Sequence, residues 1–296
     1  MKRAPEGMNC ADKMLIYAIS SLRLTIDTKA EDEMKMKFEG KVAIVTGGGG
    51  GLGRAIDLAL AKEGADVAIV DQRSATDIAD EIKGTGRRVL TIQADVSKSN
   101  DVDQAVKDAL EHFGRIDILV NAGAILKMGP VLDFREEDWD ALFNINAKGV
   151  FLSCRAAAKH MIQQRSGKII NIASEAGITG EILNAPYSAS KFAVVGFTQA
   201  FALEMAPYKI NVNAVCPTYM NTPMLDYAAQ EIAKAESRSP DEVKAQWASE
   251  IALGRLAMPE DVAKVVVFLA SEDSAFISGQ AIMVTGGGSK KYCVGG

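Results

Sequence analysis

Tyr187 and Lys191 stand four residues apart in Tyr187-Ser188-Ala189-Ser190-Lys191. The apolar run Phe192–Phe197 that follows predicts a buried helix. On a helix, residues four apart share a face, so the phenol and the ammonium would project side by side. A phenol has a reference pKa of about 10 and is a poor acid or base at neutral pH. An ammonium about 4 Å away, at an effective dielectric near 20, favours the phenolate by roughly 4 kcal/mol, or roughly three pKa units before any cost of burial. That would bring a tyrosine into working range as a proton donor or acceptor. The same spacing also arises by chance on amphipathic helices, so the elements around it must decide.

Those elements repeat. Short apolar runs at Val42–Val45, Val67–Val70, Val89–Ile92, Ile118–Val120, Ile169–Ile172, Ile210–Val215 and Ala281–Val284 predict seven buried strands. Helical patterns lie between them, including Trp139–Gln164 and Ser188–Ala206. Alternating strands and helices predict an α/β fold with one doubly wound parallel sheet, a Rossmann-type arrangement in a single domain over residues 38–296. Composition agrees: 48% hydrophobic, 24% charged and 26 glycines in 296 residues suit a globular chain with a large core. A net charge of −5 argues against a nucleic-acid partner. No apolar run reaches the roughly 18 residues that span a membrane. Cys10, Cys154, Cys216 and Cys293 are widely spaced and read as reduced thiols in a cytoplasmic protein. With only His112 and His160 beside them, the chain lacks the Cys/His density of a zinc site, and no metal is expected.

The first strand runs into Thr46-Gly47-Gly48-Gly49-Gly50-Gly51-Leu52-Gly53, and a helix begins at once. Between strand and helix, such a loop brings bare backbone close to a pyrophosphate at the helix N-terminus. Gly48, Gly50 and Gly53 meet the spacing G-x-G-x-x-G; Thr46, Gly47, Gly51 and Gly53 meet T-G-x-x-x-G-x-G. Asp71 closes the second strand some 20 residues on, where a carboxylate accepts from a ribose hydroxyl and repels a 2′-phosphate. NAD is therefore the expected cofactor, with Arg73 keeping NADP as the second candidate.

Together these residues resemble the short-chain dehydrogenase/reductase family, in its group of single domains of about 250 residues. The resemblance covers roughly Phe38 to Gly287. Thr46-Gly47 with Gly51, Leu52 and Gly53 looks like the family's cofactor loop, and Asp95-Val96 like its adenine contact. Val120-Asn121-Ala122-Gly123 resembles the N-N-A-G motif that stabilises the central sheet beside the cofactor, with Val120 in place of the first Asn. Asn146 matches the active-site Asn, and Ser174, thirteen residues before Tyr187, the catalytic serine. Pro217-Thr218 stands where the family has Pro-Gly, and Thr222 would bond the carboxamide of the nicotinamide.

The resemblance implies hydride transfer between a nicotinamide and a secondary alcohol or ketone. Tyr187 would exchange the proton, Lys191 would lower its pKa and hold the nicotinamide ribose, Ser174 would donate to the substrate oxygen, and Asn146 would hold a water linking Lys191 to solvent. Residues 219–250 are expected to form a helical lid. Glu175, Glu181, Leu183, Asn184, Tyr219 and Met220 are candidates to face a small substrate, with a neutral polyol, sugar or secondary alcohol favoured over an anion. The alternative is an NADPH-dependent reductase of 3-oxoacyl thioesters on acyl carrier protein, for which Lys127 and Arg135 could supply a basic patch. A dinucleotide sensor without turnover is disfavoured because Tyr187 and Lys191 are both present. Family members are mostly homotetramers joined through the two long helices, here Trp139–Gln164 and Ser188–Ala206. Residues 1–37 do not follow the strand–helix rhythm and read as a flexible extension, a weak targeting segment, or sequence ahead of a start at Met34 or Met36; Ser289–Gly296 are assigned no role.

Overall fold

The computed structural model describes residues 36–288, so the N-terminal extension, apart from Met36 and Lys37, and the last eight residues lie outside it. Seven strands form within that range: β1 (Val42–Thr46), β2 (Asp66–Asp71), β3 (Val89–Gln93), β4 (Ile118–Asn121), β5 (Gly167–Ile172), β6 (Ile210–Pro217) and β7 (Ala281–Val284). All pair in parallel, in the order β3-β2-β1-β4-β5-β6-β7. The helices are α1 (Gly51–Lys62), α2 (Thr76–Gly84), α3 (Ser99–Phe113), α4 (Glu136–Leu142), α5 (Gly149–Gln164), α6 (Ala185–Met205), α7 (Pro223–Glu236), α8 (Pro240–Glu250) and α9 (Pro259–Ala270).

The central strands are apolar throughout because both faces are covered. Val42 and Ile44 point into a core shared with Val102, Val106, Val150 and Val194 of α3, α5 and α6. Ala43 and Val45, one residue out of phase, point into a second core with Ile56, Leu60, Val262 and Val266 of α1 and α9. Period-two alternation thus feeds two hydrophobic layers, and only an α/β sandwich satisfies both. The chain winds from β1 to β3 on one side, then returns to β4 on the other side of β1. The connections that leave the carboxyl ends of β1 and β4 therefore diverge to opposite faces and open a crevice, the place where such sheets bind ligands.

One expectation needs correcting. The helix predicted over Trp139–Gln164 is two helices, α4 and α5, joined by a π-helical turn at Phe143–Lys148. The widened turn is fixed from outside the helix. Asn146 accepts from the Ile125 N–H (2.9 Å) and donates to the Ile125 carbonyl (3.0 Å), anchoring the chain that leaves β4. Single π turns of this kind are often found at functional sites.

Candidate active site

A cavity of about 810 Å³ opens along the carboxyl edge of the sheet. Its floor is the glycine loop. Gly47 has φ +70°, and a Cβ there would lie 2.4 Å from Gly123 Cα, so β1 and β4 approach this closely only with glycine. A Cβ on Gly53 would meet the Gly47 carbonyl at 2.0 Å. The loop is a bare-backbone cradle at the start of α1, which fits a pyrophosphate. Asp71 ends β2 beside it. Its Oδ2 accepts from the Gly49 N–H at 2.9 Å and its Oδ1 from the Arg73 N–H at 2.9 Å. Arg73 Nε also pairs with Oδ1 at 3.4 Å, so a carboxylate and a guanidinium stand together where the adenosine ribose of a dinucleotide would lie.

The opposite end of the cavity holds Ser174, Tyr187 and Lys191. Ser174 follows β5, and its Oγ accepts from the Ala176 N–H at 3.2 Å. Tyr187 and Lys191 lie in the first two turns of α6, which opens with Pro186, a residue suited to a helix start. The Lys191 ammonium is 2% exposed, donates to the Ile172 carbonyl at 2.9 Å, and lies 5.8 Å from the centroid of the Tyr187 ring. Burial pulls Lys191 down to about 8, against the opposing effect of Cys216 beside it. Burial also pushes Tyr187 up to about 12; a hydrogen bond with Ser174 pulls it down, and the Glu181 charge adds to the rise. The lowering expected from the ammonium counted charge and left out desolvation, which is the larger effect in this setting.

The other predicted residues divide into two groups. Gly51, Leu52, Val96, Ala122, Gly123, Pro217 and Thr222 line the cavity, as do Glu175, Glu181, Asn184, Tyr219 and Met220. Asn121, Asp95, Asn146 and Leu183 do not. Asn121 is buried within the sheet, where its Nδ2 donates to Asn171 Oδ1 at 2.8 Å, and Asn171 in turn donates to Thr198 at 2.9 Å. Asp95 turns into the start of α3, accepting from the Ser97 N–H and hydroxyl at 3.0 and 2.7 Å. The Asn146 side chain is taken up by Ile125 and by Ser190 Oγ (3.1 Å), so it braces the loop after β4 against α6. The Thr222 hydroxyl donates to the Met220 carbonyl at 3.2 Å.

Three features escaped the sequence reading. Asp57 of α1 is fully buried under the glycine loop, with neither oxygen hydrogen-bonded, and burial raises its carboxyl well above the usual range, with Asp71 adding to the rise. Trp247 of α8 stacks on Tyr219, ring centroids 4.8 Å apart, and joins Leu225, Ala229, Ala233 and Val243 in a small cluster over the cavity. Leu126 and Met128 close the cavity from the loop after β4. Only the regular period of α7 and α8 could have pointed to the second feature. Cys154 and Cys216 are buried and do not line the cavity, and burial pushes their thiols up to about 12 and about 11.

The short chain dehydrogenase family profile matches residues 41–233. The chain belongs to that family. This short-chain dehydrogenase is 37% identical to a 3-oxoacyl-[acyl-carrier-protein] reductase of Thermotoga maritima, over 85% of its own length and 99% of the relative's. It is 40% identical to the 2-dehydro-3-deoxy-D-gluconate 5-dehydrogenase of Escherichia coli, over 84% and 96%. Among solved structures it resembles an NAD+-bound xylitol dehydrogenase (TM-score 0.82, 34% identity, 85% of this chain and 100% of that one). Membership makes this dehydrogenase an oxidoreductase, in a family that uses nicotinamide cofactors. Among the described residues no helix is long and apolar enough to cross a membrane, and no cluster of His, Cys, Asp or Glu could hold a metal ion.

Proposed function

We propose that this dehydrogenase oxidises a small secondary alcohol, or reduces the matching ketone, with NAD(H) as the preferred cofactor. One observation carries the reading. The phenol, ammonium and hydroxyl of Tyr187, Lys191 and Ser174 converge on one end of a cavity whose other end is the Gly47–Gly53 cradle and Asp71.

The chemistry a nicotinamide held in this cavity would supply is hydride donation or acceptance. Gly47, Gly51 and Gly53 would hold the pyrophosphate at the start of α1, and Asp71 would accept from the ribose diol of the adenosine. Lys191, anchored on Ile172 O, orients the ribose at the reacting end. Ser174 donates to the substrate oxygen as negative charge develops there. Burial keeps Tyr187 protonated at neutral pH, so the phenol would give its proton to a forming alkoxide in reduction, while in oxidation the phenolate form would take the alcohol's proton. Asn146 serves as a positioning residue through Ile125. Helices α7 and α8 act as the lid, excluding water from the reacting end.

Substrates of the polyol or sugar type suit the carboxylates of Glu175 and Glu181 and the apolar Leu126, Met128 and Met220 at that end. The acyl carrier protein reading fares less well. Its two candidate cations, Lys127 and Arg135, are both drawn onto Asp138, at 3.6 and 2.8 Å. Exposed Phe151 and Phe192 on α5 and α6, with the stacked Phe197 and Phe201, support assembly as a homotetramer through these helices. Buried reduced thiols at Cys154 and Cys216 suit a cytoplasmic protein.

The test is turnover. NADH formation from NAD, and NADPH formation from NADP, are followed on polyols, sugars and secondary alcohols with wild type and Tyr187→Phe. NAD-linked turnover that the variant loses supports the reading. NADPH oxidation with 3-oxoacyl thioesters and none with alcohols overturns it.

A further inference from the structure

The cavity does not end at the reacting groups. An apolar wall runs from Tyr187 outward under the lid. Leu126 makes the join, because it packs both against the buried cluster that holds Tyr187 and against the cluster that holds Trp247. Tyr187, Leu126 and Trp247 all line the one cavity. Helix α7 adds Leu225, Ala228 and Ile232, three and four residues apart and so on one helix face. Helix α8 adds Val243 and Trp247, four apart. Two helices thus turn apolar stripes towards the same space. Leu225, Ala228 and Trp247 keep 7%, 6% and 9% of their surface, and Leu126 and Ile232 are half-buried, so a ligand in the cavity can touch the wall.

The polar lining that the lid helices supply is bonded to itself. Arg238 Nη1 donates to Glu236 Oε2 at 2.8 Å and to Gln246 Oε1 at 2.6 Å, and Gln246 Nε2 donates to Glu250 Oε1 at 2.9 Å. Glu236 and Gln246 are exposed, so this network marks the outer rim. Between rim and Tyr187 the lid helices offer hydrocarbon. A hydroxylated substrate finds Glu175 and Glu181 at the reacting end, but a hydroxyl pressed against the lid wall would lose water without gaining a partner. A hydrocarbon group there covers the wall and releases the water on it.

We propose that the wall between Leu126 and Trp247 binds an apolar arm of the substrate, so that the preferred alcohols carry a chain or ring of several carbons beyond the reacting one. The proposal rests on the oxidoreductase reading above and names the substrate class within it. Leu126, Ala228, Ile232 and Trp247 act in it as specificity-determining residues.

Two matched pairs test it: 2-butanol with 2-octanol, and 1,2-butanediol with 1,2-octanediol, each oxidised with NAD by wild-type protein. Burying one CH₂ is worth up to about fourfold, so the four added methylenes are expected to raise kcat/KM at least about tenfold in each pair, mainly through KM. Ile232→Gln makes the wall polar and Ala228→Leu fills the space before it. Each is expected to lower the long-to-short ratio at least about fivefold. The ratio is read within one sample, so a loss of folded enzyme cancels. Equal kcat/KM within the wild-type pairs overturns the proposal and leaves the oxidoreductase reading intact. So does a ratio that neither variant changes. If none of the four alcohols turns over, the oxidoreductase reading loses its support, and binding decides the proposal separately. The chain has two tryptophans, so in Trp139→Phe the remaining one is Trp247. Its emission in the cofactor-free protein is expected to shift saturably to the blue with 2-octanol, and not with 2-butanol at the same concentration. No shift with 2-octanol, or the same shift with both, overturns the proposal.

Discussion

Asp71 and Gly49 are in direct contact: the Gly49 N–H donates to Asp71 Oδ2 at 2.9 Å, and a Cβ on Gly49 would lie 2.6 Å from the Asp71 carboxyl carbon. The glycine loop thus holds the residue proposed to select the cofactor. Gly49→Ala must push that carboxylate aside. A rise of about tenfold in the Kd for NADH, about 1.4 kcal/mol, is expected by calorimetry, with the melting temperature little changed. An unaltered Kd would mean that Asp71 takes no part in binding.

Tyr187→Phe removes the proton carrier and leaves the ring in place. The expected loss in kcat is about 10²–10⁴-fold with NADH affinity retained. Burial holds the wild-type phenol up at about 12, so it is protonated across neutral pH. Alcohol oxidation needs the phenolate, and its kcat/KM should climb from pH 6 to 9. Carbonyl reduction uses the phenol and should not climb over that range. Parallel profiles in both directions would assign the proton transfer to another group.

Asp57 predicts a pH-dependent stability. Its carboxyl is raised in the folded protein, so the native state keeps a proton that the unfolded chain releases. Stability from this group is complete below the unfolded pKa and falls as pH rises through the interval up to the folded one. Asp57→Ala removes the unpartnered oxygens, worth about 1–3 kcal/mol, and should raise the melting temperature by several degrees at neutral pH. The gain should shrink towards pH 4. A melting temperature that drops equally at both pH values would show that an unseen partner satisfies the carboxyl.

Asn171→Ala is the test of the polar chain that crosses the sheet from Asn121 through Asn171 to Thr198. The substitution leaves the buried Asn121 Nδ2 with only the weak acceptor Cys154 Sγ, at 3.3 Å. A loss of about 2–4 kcal/mol in unfolding free energy is expected in urea titrations, of the size a buried unsatisfied group and a small cavity produce together.

Much of this was legible in the amino-acid order for a physical reason. Parallel strands buried on both faces are uniformly apolar, so Val42–Val45 and Ile169–Ile172 announce themselves without reference to the rest of the fold. Tyr187 and Lys191 are legible because helical spacing alone puts them on one face. The π turn at Phe143–Lys148 was not, because what widens it is the bond from Asn146 to the Ile125 backbone, 21 residues away in the chain. Nor could spacing show Asp57 as buried, since the glycine loop folding back over α1 is what covers it. Spacing likewise places the Lys191 charge beside Tyr187 but not the desolvation of the phenol, which depends on everything packed around the group.

The apolar cluster beneath α7 and α8 draws its buried members from those two helices alone, with support from Leu126, Met128, Tyr219 and Leu256, and none from a sheet strand. The cover and the frame thus have separate buried cores, joined where Leu126 packs against both the cover cluster and that of Tyr187. Substitutions in the cover away from Leu126 can drift with little effect on the sheet. A new substrate preference can therefore evolve, or be grafted, by exchanging some thirty residues on an unchanged catalytic chassis.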